Sequence, residues 1–427
     1  MPPKRKAVIL PSNNTVRDIS KKSWKIGKRI GIGGFGEVFV CQEDVGKAVS
    51  PSASYVIKIE PSGSGPLFVE MHFYMRTANK SSLDAWISQK KLDYLGMPTL
   101  HAKGQYEVDG TTYRYIIIDR YSSDLEAYIK NGKLPLKTAY TVGIRVLDVL
   151  EYIHSNGYIH ADIKASNIML GLTDKNKVYI CDFGLACKFT RDEVHKQEKG
   201  DKKKMHNGTI EYTSRDAHKG MDSRRADIEI LGYNLLHWLS GKLPWLGLLN
   251  DCKAVAESKE KFMADVTGLV SACFGKSGNK AIEAFLKSVA KIGFQDEPDY
   301  KALRKILVKG LEAAGKKFDR KLDLFSDRKR QSDETLFSSE DSEDEPPKKP
   351  PLKGLKQESK RKAPAKKKTK IQESDTETET TESISVQENL TPAMKHVLEL
   401  KKKREAEKDA KKTKRAPRTR RKSPRKP

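Results

Sequence analysis

The chain has 427 residues, of which 37% are hydrophobic and 33% charged, with 82 basic residues against 57 acidic and a net charge of +25. So low an apolar share excludes a chain that is globular from end to end, and without a run of about 18 apolar residues no helical membrane span is expected. The positive excess favours a polyanionic partner, such as nucleic acid or an acidic membrane face, without choosing between them.

The five cysteines, Cys41, Cys181, Cys187, Cys252 and Cys273, are scattered, and no two form a Cys-x-x-Cys pair. This argues against a disulfide framework or a zinc site and fits a reducing compartment. The start, Met1-Pro-Pro-Lys-Arg-Lys, lacks the apolar core of a signal peptide. Residues 1–22 read as a flexible basic arm, in which Lys4-Arg5-Lys6 is either an import signal or plain solvated charge.

From Trp24 to Val40, β-branched and apolar residues flank a glycine-rich turn, the pattern of a β-hairpin. Its loop, Ile30, Gly31, Ile32, Gly33, Gly34, Phe35, Gly36, Glu37 and Val38, holds G-x-G-x-x-G-x-V and is the candidate phosphate cover. Glycines let backbone N–H groups approach phosphate oxygens with no Cβ in the way. A Rossmann version would open a helix, whereas Glu-Val-Phe-Val continues as a strand. Tyr55 to Ile59 is a second strand with Lys58 inside it, which is costly on an inward face unless paired. The helix-like stretch Gly65 to Met75 follows at a suitable distance, and its Glu70 is the candidate partner. The plain alternatives are a solvent-facing lysine and an ordinary surface glutamate.

Ser81 to Gly96 reads as an extra packing helix. Tyr113 to Ile118 reads as a strand, and the segment from Ser122 as the start of a helix with a serine cap. Thr138 to His154 has the broad apolar face of a long helix. It leads into His160-Ala-Asp-Ile-Lys-Ala-Ser-Asn167, whose spacing suits phosphoryl transfer. Asp162 can accept a proton from a substrate hydroxyl, Lys164 can neutralise a γ-phosphate, and Asn167 can hold magnesium. A short strand then ends in Asp182-Phe-Gly184, which supplies a second magnesium ligand.

Gly31/Gly33/Gly36, Lys58, Glu70, Asp162, Lys164, Asn167, Asp182 and Gly184 together reproduce, in order, the eukaryotic protein kinase set. The stretches Phe68–Tyr74, His160–Asn167, His206–His218 and Arg224–Tyr233 narrow the match. Over residues 23–324 the chain resembles the vaccinia-related kinase family, near casein kinase one, and within it the nucleosomal histone kinase type of insects. The resemblance implies an α+β, bilobal kinase fold with a β-rich N-lobe and a helical C-lobe. It implies ATP and Mg2+ as cofactors, Asp162 as catalytic base and Lys164 at the transferred phosphoryl group. Ile118 would stand at the back of the adenine pocket, with Asp119 beside it in the hinge. Thr209 would bridge Asp162 and Lys164, and Asp227 would support the catalytic-loop backbone. The implied substrates are nucleosomal histones and the DNA-bridging barrier-to-autointegration factor, and the implied setting is nuclear chromatin during cell division. A monomer with no membrane partner is expected.

Two departures from the general kinase pattern stand out. Ala161 replaces the arginine that reads a phosphorylated activation loop, so activity without that phosphorylation is expected. Ser214-Arg-Asp216 replaces Ala-Pro-Glu, and the shorter Asp216 has less reach for a helix-anchoring ion pair. Beyond these, helical patterns run over Phe262–Cys273, Ala281–Ile292 and Tyr300–Leu311.

Residues 325–427 read as a mostly disordered tail with acidic Ser/Thr-rich blocks at 338–345 and 373–382. These blocks are either phosphorylation sites or solvated spacer. Lys360 to Lys370 reads as an import signal, and the Thr391-Pro start suggests a helix to about Lys412. The last 27 residues hold 15 basic and 3 acidic, a run able to neutralise several phosphates of DNA or a nucleosome with strong salt dependence, or simply to aid import.

Overall fold

The computed structural model describes residues 7–33, 36–63 and 65–324. Gly34, Phe35 and every reading made for the tail lie outside the described residues.

The N-terminal part is a sheet ordered β1-β2-β3-β4-β6-β5. Its strands are β1 (Thr15–Arg17), β2 (Ser23–Ile32), β3 (Glu37–Glu43), β4 (Tyr55–Pro61), β5 (Leu100–Val108) and β6 (Thr111–Asp119). Every adjacent pair is antiparallel. Alternation along each strand gives the sheet two faces. Ile57 and Ile59 of β4, Tyr115 and Ile117 of β6, and Phe39 and Cys41 of β3 share the outer face with Trp24 and Ile26. Val56 and Ile118, with Ile116, share the inner face, which packs on helix α1 (Pro66–Thr77). Lys58 is paired in register between Val38 and Ile116 and so lies on that inner face.

The flexible arm expected over residues 1–22 is folded from residue 7 onward. β1 pairs with β2, Val16 is buried, and Val8 and Leu10 pack against the outer face. The Trp24 indole donates to Asp18 at 2.9 Å, and Tyr106 donates to the Ile9 carbonyl at 2.9 Å. That aromatic outer face needs a cover, and this segment provides it.

Helix α2 (Lys80–Lys90) follows α1 and is capped by the Asn79 side chain. The helix expected from Ser122 does not form. Tyr121–Asp124 is strand β7, followed by a single 3-10 turn at Glu126–Tyr128. Ladder bonds to a later strand outcompete local helix, and Asp124, not a serine, caps the turn through the Ala127 N–H at 3.0 Å.

The C-terminal part is helical. Helix α3 (Leu136–Ser155) runs through its centre and packs on both α5 (Arg224–Ser240) and α9 (Tyr300–Ala313). Between α3 and α5 come β8 (Tyr158–Ile159), β9 (Ile168–Gly171), β10 (Val178–Ile180), β11 (Cys187–Lys188), β12 (Thr190–Arg191), β13 (Val194–His195) and the short helix α4 (Arg215–His218). Helices α6 (Cys252–Ala264), α7 (Val266–Phe274) and α8 (Lys280–Ala290) complete it. The helix expected over Phe262–Cys273 is two helices, because Asp265 leaves helical geometry and its carboxylate caps α7 through Gly268 N–H at 2.9 Å. All five cysteines are free thiols. Among the described residues no helix is long and apolar enough to cross a membrane.

Candidate functional site

The site lies where the inner face of the sheet meets the loops around β8–β10. Lys58 Nζ is 2.6 Å from Glu70 Oε2 on α1 and 3.2 Å from Asp182 Oδ1. Burial works against the Lys58 ammonium, but the Asp182 and Glu70 carboxylates outweigh it and raise its pKa. Lys58 in turn holds the Asp182 carboxyl below its ordinary value. Asp182 has φ +61°, a left-handed backbone that aspartate adopts more readily than most residues and that packing must still hold in place. Part of the constraint is Phe183, wholly buried and stacked on Phe73 of α1 at 4.1 Å and 12°. The segment carrying Asp182 and the helix carrying Glu70 are therefore locked together by the packing of Phe183 on Phe73 and Tyr74.

The loop after β8 is held from below. Asp227 of α5, fully buried, accepts the N–H groups of His160 at 2.8 Å and Ala161 at 2.9 Å. His154 Nε2 lies 2.9 Å from the same carboxylate, and its Nδ1 lies 2.7 Å from the Tyr300 hydroxyl. A carboxylate only accepts, so the network assigns the proton to Nε2 and makes Nδ1 the acceptor of the Tyr300 O–H. These bonds hold Ala161 at φ +68°. Asn234 Nδ2 donates to the Ile163 carbonyl at 2.8 Å, fixing the next turn.

Asp162 is the hub. Its Oδ1 accepts the Thr209 N–H at 2.8 Å and the Thr209 hydroxyl at 2.7 Å. Its Oδ2 is 2.9 Å from Lys164 Nζ, and Asn167 Nδ2 donates to its carbonyl at 2.8 Å. Lys164 Nζ also reaches Thr209 Oγ1 at 2.9 Å. Lys58, Glu70, Asp162, Lys164, Asn167, Asp182 and Thr209 thus form one constellation from seven separate sequence positions.

Other candidates sit differently. The Glu37 carboxylate lies on the outer face, accepting the Val8 N–H at 3.1 Å and pairing with Arg29 at 3.1 Å, so only its main chain faces the loop. The Asp119 carboxylate is taken by the Thr99 N–H at 2.8 Å and by His101 at 2.7 Å. Ile118 is buried opposite Val56, and Ile30 and Ile32 are exposed. Gly31 pairs with Val38, and the Gly33 N–H donates to Gly36 O at 2.8 Å. A Cβ on Gly36 would come within 2.4 Å of the Ile59 carbonyl, so strand packing requires that glycine.

Asp216 makes the ion pair that its short side chain left open. Arg225 clasps it with two bonds of 2.8 and 2.9 Å, and Ser223 adds a third of 2.6 Å. The partner lies at the start of α5, nine residues on, so little reach is needed. The segment between Asp182 and Asp216 is anchored at Asp222, which receives Lys196 Nζ at 2.8 Å and Lys204 Nζ at 2.6 Å. Sequence reasoning missed Asp222, His154 and Tyr300. The even run of lysines hid which two are bound, and the histidine and tyrosine are 146 residues apart.

This fold and constellation define the class of the protein kinases, and a model described as protein kinase domain matches residues 99–292. Over 293 residues the chain is 46% identical to the nucleosomal histone kinase 1 of Drosophila melanogaster, covering 67% of this chain and 48% of that one. It is 40% identical to the human serine/threonine-protein kinase VRK2, covering 72% of this chain and 62% of that one. The chain therefore spans about half to three fifths of these two relatives. The B1 kinase of variola virus is 36% identical, with 69% of this chain and 96% of that one covered. The solved structure of vaccinia related kinase 3 superposes with a TM-score of 0.64 at 25% identity, covering 73% of this chain and 95% of that one. The chain belongs to the vaccinia-related kinase family.

Proposed function

We propose that the chain is an ATP- and Mg2+-dependent serine/threonine protein kinase that works in the nucleus, as a monomer, on chromatin proteins. The observation that carries the reading is the constellation around Asp162, because each member has a geometry suited to one part of phosphoryl transfer. Lys58, held by Glu70, points its ammonium toward Asp182, where the phosphates of ATP would lie beneath the glycine-rich loop. Ile118 and the main chain at Asp119 would border the adenine.

The donor set fits magnesium. Asn167 spends its amide nitrogen on Asp162, which leaves its side-chain carbonyl oxygen for a cation, and Asp182 offers a carboxylate. Two hard oxygen donors suit an ion that takes its other ligands from water and phosphate. Bound there, magnesium neutralises charge on the phosphates.

The remaining work falls to the chain's own residues. Thr209 takes one oxygen of Asp162 and fixes the carboxylate's orientation. Asp162 then receives the proton of an acceptor Ser or Thr hydroxyl as its oxygen attacks the γ-phosphorus in line and the bond to ADP breaks. Lys164, between Asp162 and Thr209, would neutralise charge on the transferred group.

The substrate reading rests on the likeness to nucleosomal histone kinase 1 and on charge. A chain of net charge +25 is repelled by free histone tails but attracted to nucleosomal DNA. The basic run at residues 401–427 would raise the local concentration of the kinase near histones. Barrier-to-autointegration factor, itself held on DNA, fits the same logic. Phosphoamino-acid analysis of nucleosomes treated with the full chain and ATP should yield phosphoserine or phosphothreonine. Deleting residues 401–427 should slow nucleosome labelling more than labelling of a free peptide. Label on tyrosine alone, or equal loss on both substrates, would contradict this reading.

A further inference from the structure

Lys259 on α6 is completely buried, and among the described residues no carboxylate lies within ion-pairing distance of it. A lone ammonium in such surroundings is expensive unless hydrogen bonds satisfy it. Its Nζ donates to the Ile210 carbonyl at 2.7 Å and the Thr213 carbonyl at 2.8 Å. It lies over the rings of Tyr233 and Trp245 at 5.4 and 5.3 Å, and 3.4 Å from His218 Nε2. The Trp245 indole takes the intervening Glu211 carbonyl at 2.8 Å. The carbonyls of residues 210, 211 and 213 are thus gripped by side chains from beneath. The segment begins at Thr209, which is bonded to Asp162, so an acceptor chain reaching Asp162 must pass beside it.

The hydrogen bonds also fix a direction. An ammonium can only donate, so His218 Nε2 accepts and its proton sits on Nδ1. That proton is donated to His206 Nδ1 at 2.8 Å, which leaves the His206 proton on Nε2. His206 is half-buried and lies on the loop before Thr209. A chain of polarised bonds therefore runs from the buried cation to a residue in contact with water.

We propose that Lys259 is a positioning residue for the docking segment Thr209–Ser214, and that His218 and His206 couple its charge to solvent. The proposal rests on the kinase reading above. As an ammonium, Lys259 makes charge-assisted bonds to two carbonyls of the segment. On deprotonation its third proton passes to His218 Nε2, the His218 Nδ1 proton passes to His206 Nδ1, and the His206 Nε2 proton leaves to water. The lysine is then neutral, both histidines are again neutral, and the grip on the carbonyls is weaker. The titratable and charged groups facing this centre are Glu229 and Tyr233 from α5, Glu211 from the segment, Cys252 from α6, His218 from α4 and, through it, His206, which Lys253 of α6 also faces. Arg215 already holds Glu229 at 3.0 Å. Burial lowers Lys259 to about 7 and His218 to about 3. Charge on Lys259 is therefore present below neutral pH and lost as pH rises through 7.

The test uses the full chain with Lys259→Met, Lys259→Arg and His206→Ala. It reads KM for a histone peptide from pH 6 to 9, affinity for a fluorescent ATP analogue, and amide exchange of residues 210–213. Lys259→Met should raise peptide KM at least tenfold at pH 6.5 and speed exchange of the segment, with nucleotide affinity within twofold. Wild-type KM should climb toward the variant's as pH passes 7, Lys259→Arg should stay low across the range, and His206→Ala should move the midpoint. A purely structural lysine would lower nucleotide affinity and thermal stability together and leave the pH profile in place, which would overturn the proposal. Wild-type KM and exchange in Lys259→Met would overturn it too. If that variant fails to fold, an unmoved midpoint in His206→Ala decides against the coupling. If the wild type transfers no phosphate, the kinase reading fails, while segment exchange against pH still decides this one.

Discussion

Asp162 is oriented by Thr209 on one oxygen and by Lys164 on the other, and each bond has its own consequence. Thr209→Ala removes the hydroxyl bonds to Asp162 and Lys164 but keeps the N–H bond of 2.8 Å. The carboxylate then swings more freely, and kcat should fall about a hundredfold, as small misplacements of a catalytic group do. Nucleotide affinity, which the proposed function assigns to Lys58, should not change, and steady-state kinetics with ATP titration checks both. At this scale the site was largely legible in the sequence. Lys58, Asp162, Asn167 and Asp182 lie in short motifs whose spacing is dictated by the chemistry. Glu37 and Asp119 show the limit of that legibility, because a motif gives position along the chain, whereas strand alternation sends their carboxylates elsewhere. Lys259 was illegible, since nothing local marks a lysine whose partners lie 46 and 49 residues away.

The segment between Asp182 and Asp216 raises the question of what orders it. Where Ala161 stands there is no cation to read a phosphate, and the structure places an anion on the body instead. Asp222, mostly buried, takes Lys196 and Lys204 from the segment, and Cys187 Sγ lies 3.3 Å from its other oxygen. Lys204 and Lys196 help hold the Asp222 carboxyl below its ordinary value against burial. The polarity of the usual switch is reversed: cations sit on the segment and a permanent carboxylate receives them. Phosphatase-treated protein and Thr190→Ala should therefore keep kcat within about twofold, whereas Asp222→Asn should lower it and speed proteolysis of residues 190–204. A large loss on phosphatase treatment would show that a phosphate orders the segment. Helices with strong apolar periodicity, such as α3, were readable in advance. β7 was not, because its conformation is decided by pairing with β9, about 45 residues on.

At the scale of the whole molecule, the N-terminal segment belongs to the fold. Val8, Leu10 and Val16 cover the aromatic outer face of the sheet, and Glu37, at the end of the glycine-rich loop, accepts a bond from Val8. Removing residues 1–18 should cost roughly 3 kcal/mol, about 1.5 kcal/mol for the buried Val16 and about half that for each of the half-buried Val8 and Leu10. It should also lower the melting temperature and weaken nucleotide binding. An unchanged melting temperature would mean that this cover contributes nothing. The sequence gives little sign of it, since a short apolar run at residues 7–10 and a lone Val16 among basic and polar residues resemble a tail until the face they cover is seen. The sheet, the helical part and the segment around Asp222 all converge on one carboxylate and one lysine. The most direct test is the rate of phosphate transfer from ATP to nucleosomes by the wild type, Asp162→Asn and Lys58→Met, each shown to be folded. The wild type should label serine or threonine, with both variants slower by about a thousandfold or more. A wild type no faster than its variants would contradict the account.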